Sequence, residues 1–176
     1  MNDPYRICVV CSGNICRSPM GEVVLRERFA QAGLHDGHVL VDSAGTGAWH
    51  VGGPADRRAV TALVKGGYAP GSHRARSYDV SWFARHDLVL AADRGHLRWL
   101  RREAQTEGYD AGPPGSGADV EIGLLREFDA NAVEAGTLDV DDPYYGGARE
   151  FDACLAQVEG AVDGVVAYVT AVLLER

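Results

Sequence analysis

The apolar and polar residues of the chain alternate between short β-rich runs and longer helical patterns. The run YRICVV, residues 5–10, is too apolar to have one face in water, which is typical of a central strand covered on both sides. After Pro19, apolar residues recur at helical spacing, as at Leu25 and Phe29, until Gly33 ends the pattern. The sequence therefore predicts a strand followed directly by a helix.

The same alternation continues to the end of the chain. Further strands are predicted at HVLVDSA, DLVLAAD and VEIGLL, and further helices at PADRRAVTALVKGG and RGHLRWLRREA. Strands that alternate with helices favour a βαβ architecture with right-handed crossovers. For the last segment, a single helix packed on the sheet is favoured over a coiled coil. Its apolar stripe has steps of four and three residues: Phe151, Leu155, Val158, Val162, Val165, Val169 and Val172.

Length, composition and charge restrict the class of protein. The 176 residues fit a single domain, residues 1–176, and the contents of 46% hydrophobic and 24% charged residues are typical of a globular protein. A formal net charge of -8 argues against binding to nucleic acid or to a membrane surface. No apolar run approaches the roughly 20 residues of a membrane span, and the N-terminus lacks a signal-peptide pattern. We expect a cytoplasmic protein, with export by a route without a signal left open.

The four cysteines are distributed unevenly. Three of them, Cys8, Cys11 and Cys16, lie near the start, which favours a reduced compartment over a disulfide framework. Cys8 and Cys11 form a CxxC, but residues three apart in a strand point to opposite faces, so Cys8 is predicted to lie in the core. Cys154, beside the apolar stripe, is also predicted to be a core residue. The six histidines show no common ligand spacing, so we expect no metal site.

The segment CSGNICRSP, residues 11–19, lies where a parallel strand is predicted to end and a helix to begin. Open α/β sheets bind ligands at this position. Pro19 suits a first helical turn, and Ser18 is predicted as the N-cap. Gly13 and Asn14 allow a tight turn that points successive backbone N–H groups inward. Together with the helix dipole, these donors favour an anion of the size of phosphate.

Other chemistry for a glycine-containing loop is excluded by the residues present. A Walker loop needs Gly-Lys-Ser/Thr, but the only lysine is Lys65, in a predicted helix. The segment GTGAWH has His50 where a dinucleotide fingerprint has its third glycine. A helix N-terminus and a nearby arginine favour the thiolate form of Cys11, which is a nucleophile. Arg17 has a planar guanidinium that matches phosphate oxygens in pairs, so the pattern predicts phosphoryl transfer to sulfur.

Three segments together resemble one protein family. The segments CSGNICRSP, DSAGTGAWHVG and DDPYYGG, in this order and in a chain of this length, are similar to the low-molecular-weight protein tyrosine phosphatases, in particular the actinobacterial members. The resemblance covers nearly the whole chain. It implies a three-layer α/β fold with a doubly wound sheet of four parallel strands and helices on both faces. It also implies a reaction on tyrosine-phosphorylated proteins through a cysteinyl phosphate, without metal or cofactor, and a monomer is favoured.

The catalytic residues expected from this resemblance are Cys11 as nucleophile, Arg17 as phosphate ligand and an aspartate as general acid and base. The residues alone place the acid near the aromatic pair of VDDPYYGG, where Asp141 and Asp142 both qualify. The resemblance selects Asp142, the aspartate directly before the proline. It would protonate the leaving oxygen and then activate water.

The resemblance also assigns supporting and substrate-binding positions. It implies that Asn14 anchors the loop, that Ser18 hydrogen-bonds the sulfur, and that Ser43 and His73 complete the network. A phosphoarginine-specific branch of the family has threonine where this chain has Ile15, which favours phosphotyrosine. The expected substrate-binding set combines the loop with aromatic walls: Ser12, Gly13, Asn14, Ile15, Cys16, Ser18, Trp49, Tyr144 and Tyr145.

Further expectations concern residues around this loop. Cys16 lies five residues after Cys11, close enough for a reversible disulfide that traps an oxidised nucleophile. Asp93 is predicted as a helix N-cap and resembles a family residue that pairs with the loop region. The chain departs from the family at AGPPGSG, which resembles an insertion before the fourth strand. It also departs after Asp129, where a proline is expected.

Two other functions compete with that of a phosphatase. An arsenate reductase of the same fold needs further cysteines in the middle of the chain, and none lies between Cys16 and Cys154. A non-catalytic phosphotyrosine-binding module is expected to have lost the nucleophile or the acid, and this chain has both. The sequence therefore favours a protein tyrosine phosphatase.

Overall fold

A parallel sheet of five strands forms the centre of the molecule. The computed structural model of the chain describes residues 3–176. The strand order is β2-β1-β3-β5-β4, so the first strand lies inside the sheet between β2 and β3, as its apolar sequence predicts. The strands are β1 (Tyr5–Cys11), β2 (Val39–Gly45), β3 (Leu88–Ala91), β4 (Ala111–Gly112) and β5 (Val120–Leu124).

Helices cover both faces of this sheet, which confirms the three-layer α/β fold. The helices are α1 (Arg17–Gln31), α2 (Arg57–Lys65), α3 (Arg94–Thr106), α4 (Ala130–Ala135) and α5 (Ala148–Glu175). One hydrophobic core joins β1 to α1, α2 and α5, and a second joins the other face to α3 and a 3₁₀ helix at Val80–Ala84. Cys8 lies in the second core and Cys11 borders the first, so the two sulfurs of the CxxC do point to opposite faces.

The sheet has five strands, whereas four were expected. The additional strand, β4, has only two residues and pairs in parallel with the start of β5 at the sheet edge. It lies within the glycine- and proline-rich segment that resembles an insertion. A two-residue strand without β-branched residues leaves no periodic pattern in a sequence, which is why it was not predicted. The short helix α4 was missed for the same reason, although Asp129 caps it by accepting from Asn131 N and Ala132 N.

The glycine- and proline-rich segment is held at the end of the sheet where the strands begin. Glu121 accepts hydrogen bonds from the amides of Gly115 (2.9 Å) and Gly117 (3.1 Å), and the hydroxyl of Tyr168 donates to its other oxygen. The loop lines a cavity together with Tyr5, the first residue of β1. Ligands of such sheets bind at the opposite end, beyond the carboxyl ends of the strands.

The terminal helix α5 has 28 residues and packs against α1, α2 and the 3₁₀ helix Leu125–Phe128. By length and hydropathy it could span a membrane, unlike any other helix in the described part of the chain. The sequence does not indicate a possible membrane span here, because polar residues interrupt the apolar stripe of this helix. Val158, Val162 and Val165 of that stripe are fully buried in the core, so the structure uses it as a core helix.

Candidate active site

The loop after β1 forms a tight turn against the residues that follow β2. The amide of Thr46 donates to the carbonyl of Cys11 (2.8 Å), and the amide of Gly47 donates to the carbonyl of Ser12 (3.0 Å). Gly45 lies directly under the loop, and a Cβ at this position would overlap the Ser12 carbonyl oxygen. The close approach of the two segments therefore requires glycine at the end of β2.

The backbone amides of this loop have no partner within the protein. In the described part of the chain, none of the amides of residues 12–18 donates to a protein oxygen. Helix α1 begins at Arg17, and its N-cap, Cys16, makes no side-chain capping bond. Free amides and the positive end of a helix dipole favour an anion. We call residues 12–18 the phosphate cradle.

Asn14 connects the cradle to its surroundings. It is fully buried and has a left-handed backbone conformation, with φ 57°. Its Nδ2 donates to the hydroxyls of Ser18 (2.8 Å) and Ser43 (2.9 Å), and its Oδ1 accepts from the amide of Arg76 (2.9 Å). The ring of His73 lies 2.7 Å from the Asn14 carbonyl oxygen. The structure thus brings together Asn14, Ser18, Ser43 and His73, four positions singled out from the sequence.

The Ser18 hydroxyl lies 2.9 Å from the sulfur of Cys11. The prediction that Ser18 caps α1 is wrong, because the helix begins one residue earlier and Ser18 lies in its first turn. Its hydroxyl turns to the sulfur instead of to a helix amide. Burial raises the pKa of the other three thiols, to about 12 at Cys154 and well above the usual value at Cys8 and Cys16. Those three sulfurs therefore stay protonated at neutral pH.

Arg17 is only 5% exposed and is held from one side. Its Nη1 donates to Asp93 Oδ2 (2.8 Å) and to the carbonyl of Val140 (3.2 Å). Its Nη2 lies 3.6 Å from Asp142 Oδ2. Burial alone would lower the pKa of Arg17, but the negative groups at Cys11, Asp142 and Asp93 raise it. The guanidinium is thus a fixed positive charge beside the cradle.

The two candidate acids have different surroundings. Asp142 is 49% exposed, lines the cleft above the cradle and accepts from the amide of Tyr144 (3.2 Å). Asp141 is turned away: its amide donates to Gln157 Oε1 (2.9 Å), and its carboxylate accepts from Gln157 Nε2 (2.8 Å). The geometry favours Asp142 as the acid.

The cleft above the cradle has a volume of about 170 Å³ and aromatic walls. Trp49 and Tyr145 are exposed, and the rings of Tyr144 and Tyr145 pack edge to face with centroids 5.0 Å apart. His50 also lines the cleft, although the sequence singled it out only as a failed nucleotide-binding motif. The cleft is lined by Cys11, Ser12, Gly13, Ile15, Cys16, Arg17, Trp49, His50, Asp142, Tyr144 and Tyr145.

Two residues at the start of α2 connect the cradle to the loop that carries Asp142. The amide of Asp56 donates to the carbonyl of Ile15 (2.8 Å), and its carboxylate binds Arg58 (2.8 Å). Arg58 Nη1 donates to the carbonyl of Gly146 (2.8 Å), and the guanidinium lies 5.7 Å from the centroid of the Tyr144 ring. These residues were not predicted, because their partners Ile15 and Gly146 lie far from them in the sequence, one before and one after.

Potential metal ligands lie together on the other face of the sheet. Cys8, Asp42 and His86 offer ligand atoms within 4.8 Å of one another, which their spacing in the sequence does not indicate. The Asp42 carboxylate already accepts from His86 Nε2 (3.1 Å) and Arg76 Nη2 (2.9 Å). Burial opposes ionisation of Asp42, but His86 and Arg76 lower its pKa to about 2. The Asp42 carboxylate is therefore already satisfied within the protein, by His86 and by an ion pair with Arg76.

Comparison with known proteins agrees with this geometry. The family described as low molecular weight phosphotyrosine protein phosphatase matches residues 6–173. The low molecular weight protein-tyrosine-phosphatase of Streptomyces coelicolor is 52% identical over 166 residues, which cover 94% of this chain and 93% of that protein. Phosphatase A of Mycobacterium tuberculosis is 42% identical over 167 residues, or 94% and 91% of the two chains.

Solved structures of the same kind share the fold. A protein tyrosine phosphatase from Entamoeba histolytica superimposes with a TM-score of 0.81 at 27% identity, covering 95% of this chain and 97% of that one. The Drosophila arginine phosphatase DARP superimposes with a TM-score of 0.77 at 26% identity, covering 92% and 95%. The chain belongs to the low molecular weight phosphotyrosine protein phosphatase family and is a protein tyrosine phosphatase.

Proposed function

We propose that the chain hydrolyses phosphotyrosine on proteins in two steps, with Cys11 as nucleophile, Arg17 as phosphate ligand and Asp142 as general acid and base. The observation that carries this proposal is the ring of unpartnered amides around Cys11. Such amides, together with the Arg17 guanidinium, match the equatorial oxygens of a phosphoryl group in transfer. The aromatic walls formed by Trp49 and Tyr144 suit a phenyl ring.

In the first step the Cys11 thiolate attacks phosphorus as the bond from phosphorus to the tyrosine oxygen breaks. Protonated Asp142 gives its proton to the departing oxygen, so tyrosine leaves uncharged. The Ser18 hydroxyl, 2.9 Å from the sulfur, stabilises the thiolate by donating to it. Arg17 and the amides hold the three phosphoryl oxygens throughout.

In the second step the Asp142 carboxylate removes a proton from water as that water attacks phosphorus. The bond between sulfur and phosphorus breaks, inorganic phosphate forms and the Cys11 thiolate is regenerated. The cycle needs no further reactant, so atoms and charge balance. Burial keeps Cys16 protonated, so it does not compete as nucleophile.

The test is turnover of an aryl phosphate in the presence of a chelator. Cys11→Ser should abolish turnover, with a loss of roughly 10³-fold or more, because a hydroxyl is a far weaker nucleophile than a thiolate. Asp142→Asn should lower kcat by roughly 10²-fold for phenyl phosphate, and less for nitrophenyl phosphate, whose leaving group needs little protonation. Asp141→Asn is the matched control and should keep nearly the wild-type rate. Equal losses in the two aspartate variants would contradict the assignment of the acid.

Phosphoarginine is a specific alternative to phosphotyrosine as the substrate. The Drosophila relative is an arginine phosphatase, and the family resemblance implies that the phosphoarginine-specific branch has threonine at the position of Ile15. In this chain Ile15 lines the cleft and presents only apolar atoms. We expect phosphotyrosine peptides to be hydrolysed and phosphoarginine peptides to be left intact. Ile15→Thr should raise the ratio of phosphoarginine to phosphotyrosine turnover, and an unchanged ratio would remove Ile15 as the selector.

The cellular setting follows from the same chemistry. We expect the protein to act as one domain and as a monomer in the cytoplasm, where a reducing environment protects Cys11 from oxidation. Its partners are then tyrosine-phosphorylated proteins, and Cys11→Ser or Asp142→Ala should retain one from a lysate. Thiol-dependent reduction of arsenate by the wild type would favour the arsenate reductase instead. Binding of phosphotyrosine without hydrolysis would favour a binding module.

A further inference from the structure

A buried histidine connects the first turn of α3 to the phosphate cradle. His96 is only 5% exposed, and its Nε2 lies 2.8 Å from the hydroxyl oxygen of Ser12, the residue that follows Cys11. On the other side of the ring, the backbone N–H of Asp93 donates to Nδ1 (3.3 Å). Asp93 Oδ1 in turn accepts from the amide of His96 (3.1 Å), so the two residues cap the helix reciprocally.

These contacts determine which ring nitrogen of His96 carries the proton. A backbone N–H can only donate, so Nδ1 must offer its lone pair, and the proton of the neutral ring then sits on Nε2. Asp93 Oδ1 also lies 3.2 Å from Nδ1. It does not need a proton from Nδ1, because the Asp93 oxygens already accept from the His96 amide and from Arg17. Burial is the main cause that lowers the pKa of His96 to about 4; nearby Arg17 also lowers it, while Asp93, Asp142 and Asp139 oppose the shift.

We propose that His96 is a positioning residue that turns the hydroxyl proton of Ser12 into the phosphate cradle. The Nε2–H group donates to a lone pair of the Ser12 oxygen, so the one proton of that hydroxyl has to point elsewhere. In the described part of the chain, the Ser12 side chain makes no hydrogen bond other than this one, and it lines the cleft beside Cys11. The acceptor within its reach is an oxygen of bound phosphate. This inference rests on the proposed function and adds a side-chain donor to its amides.

One carboxylate therefore orients two donors of the cradle. Asp93 Oδ2 holds the guanidinium of Arg17, and Asp93 Oδ1 together with the Asp93 amide holds His96, which orients Ser12. The start of α3 thus contributes to phosphate binding although none of its side chains lines the cleft.

Two substitutions of His96 separate its two contacts. Asparagine places an amide near the position of Nδ1, so His96→Asn can keep the bond from the Asp93 amide but cannot reach Ser12. Glutamine places an N–H near the position of Nε2, so His96→Gln can donate to Ser12 but gives up the helix cap. If His96 positions Ser12, the variant that keeps the hydrogen bond to Ser12, His96→Gln, should be the more active one. A merely structural role predicts the reverse order, with activity following the helix cap.

The experiment measures kcat/KM for an aryl phosphate and the inhibition constant of inorganic phosphate. Ser12→Ala should lower kcat/KM and weaken phosphate binding by roughly tenfold to a hundredfold, the range for a hydrogen bond to a charged group. His96→Asn should show a comparable loss, and His96→Gln should recover most of it. In the Ser12→Ala background, His96→Asn should cause no further loss. His38→Asn, at an exposed position remote from the cleft, is the matched control and should leave both constants unchanged.

The proposal is overturned if His96→Asn is as active as His96→Gln or more so. It is also overturned if His96→Asn costs the same with and without the Ser12 hydroxyl. Unfolding by urea, measured on each variant, separates a loss of folded protein from a loss of the link, because activity can then be compared per folded molecule. Failure of the proposed function is distinguishable, since it would appear as residual turnover in Cys11→Ser, whatever the order of the His96 variants.

Discussion

Replacing Asn14 by alanine tests how the cradle is held together. The substitution removes three side-chain hydrogen bonds, to Ser18, Ser43 and the amide of Arg76. At a net value of about 1 kcal/mol each, these bonds account for about 3 kcal/mol of stability. The backbone φ of 57° adds little to this difference, because asparagine and alanine both carry a Cβ that crowds the following carbonyl oxygen. We therefore expect the free energy of unfolding to fall by about 3 kcal/mol.

Asn14→Gly is the matched control for the conformational part. Glycine loses the same three bonds but adopts a positive φ without strain, at an entropic cost of about 0.5 to 1 kcal/mol. It should be more stable than the alanine variant by about 1 kcal/mol. Urea unfolding followed by tryptophan fluorescence measures both, and turnover of an aryl phosphate should fall strongly in both. A loss below about 1.5 kcal/mol for alanine would refute the bond count. An alanine variant as stable as the glycine variant would refute the conformational argument.

Three further predictions concern other parts of the molecule. The pKa of His96 is about 4 in the folded protein and about 6.5 in the unfolded chain, so between these values the unfolded chain binds the proton and stability falls as the pH is lowered. Between pH 7.5 and 4.5, urea unfolding should show a loss of stability about 2.5 kcal/mol larger for the wild type than for His96→Gln. Parallel curves for the two proteins would contradict this prediction. Gly45→Ala should displace the cradle and abolish phosphate inhibition and turnover together, and a fully active variant would show that the cradle tolerates the displacement. Glu121→Gln should speed proteolysis at residues 113–117 without changing kcat, whereas a changed kcat would show that the insertion communicates with the cleft.

Much of the fold is readable from local sequence patterns. The buried run of β1 and the helical spacing of α1 lie next to each other in the chain, so the position of the loop between them follows from the pattern alone. The five-residue spacing between Cys11 and Arg17 is equally local. Short elements such as β4 are not readable, because two residues show no periodicity.

The remaining parts of the site depend on contacts between distant segments. The choice between Asp141 and Asp142 is open from the residues alone, and the structure favours Asp142 because Gln157, on a different element, binds Asp141. The link from His96 to Ser12 joins positions 84 residues apart, and the only local hint is the place of His96 three residues after the capping Asp93. Such contacts have no signature in the spacing of residues, since they depend on how the strands are ordered in the sheet.

The contacts of Asp56 and Arg58 have a consequence for the design of inhibitors. Asp56 contacts the floor of the cleft at Ile15, and Arg58 contacts the backbone of the loop that carries Asp142, at Gly146. A compound that wedges under Ile15 and breaks the Asp56 contact would therefore also loosen the loop that carries Asp142, the proposed proton donor. Such a compound would disable the enzyme without occupying the phosphate cradle, so it would not need a charged group that mimics phosphate.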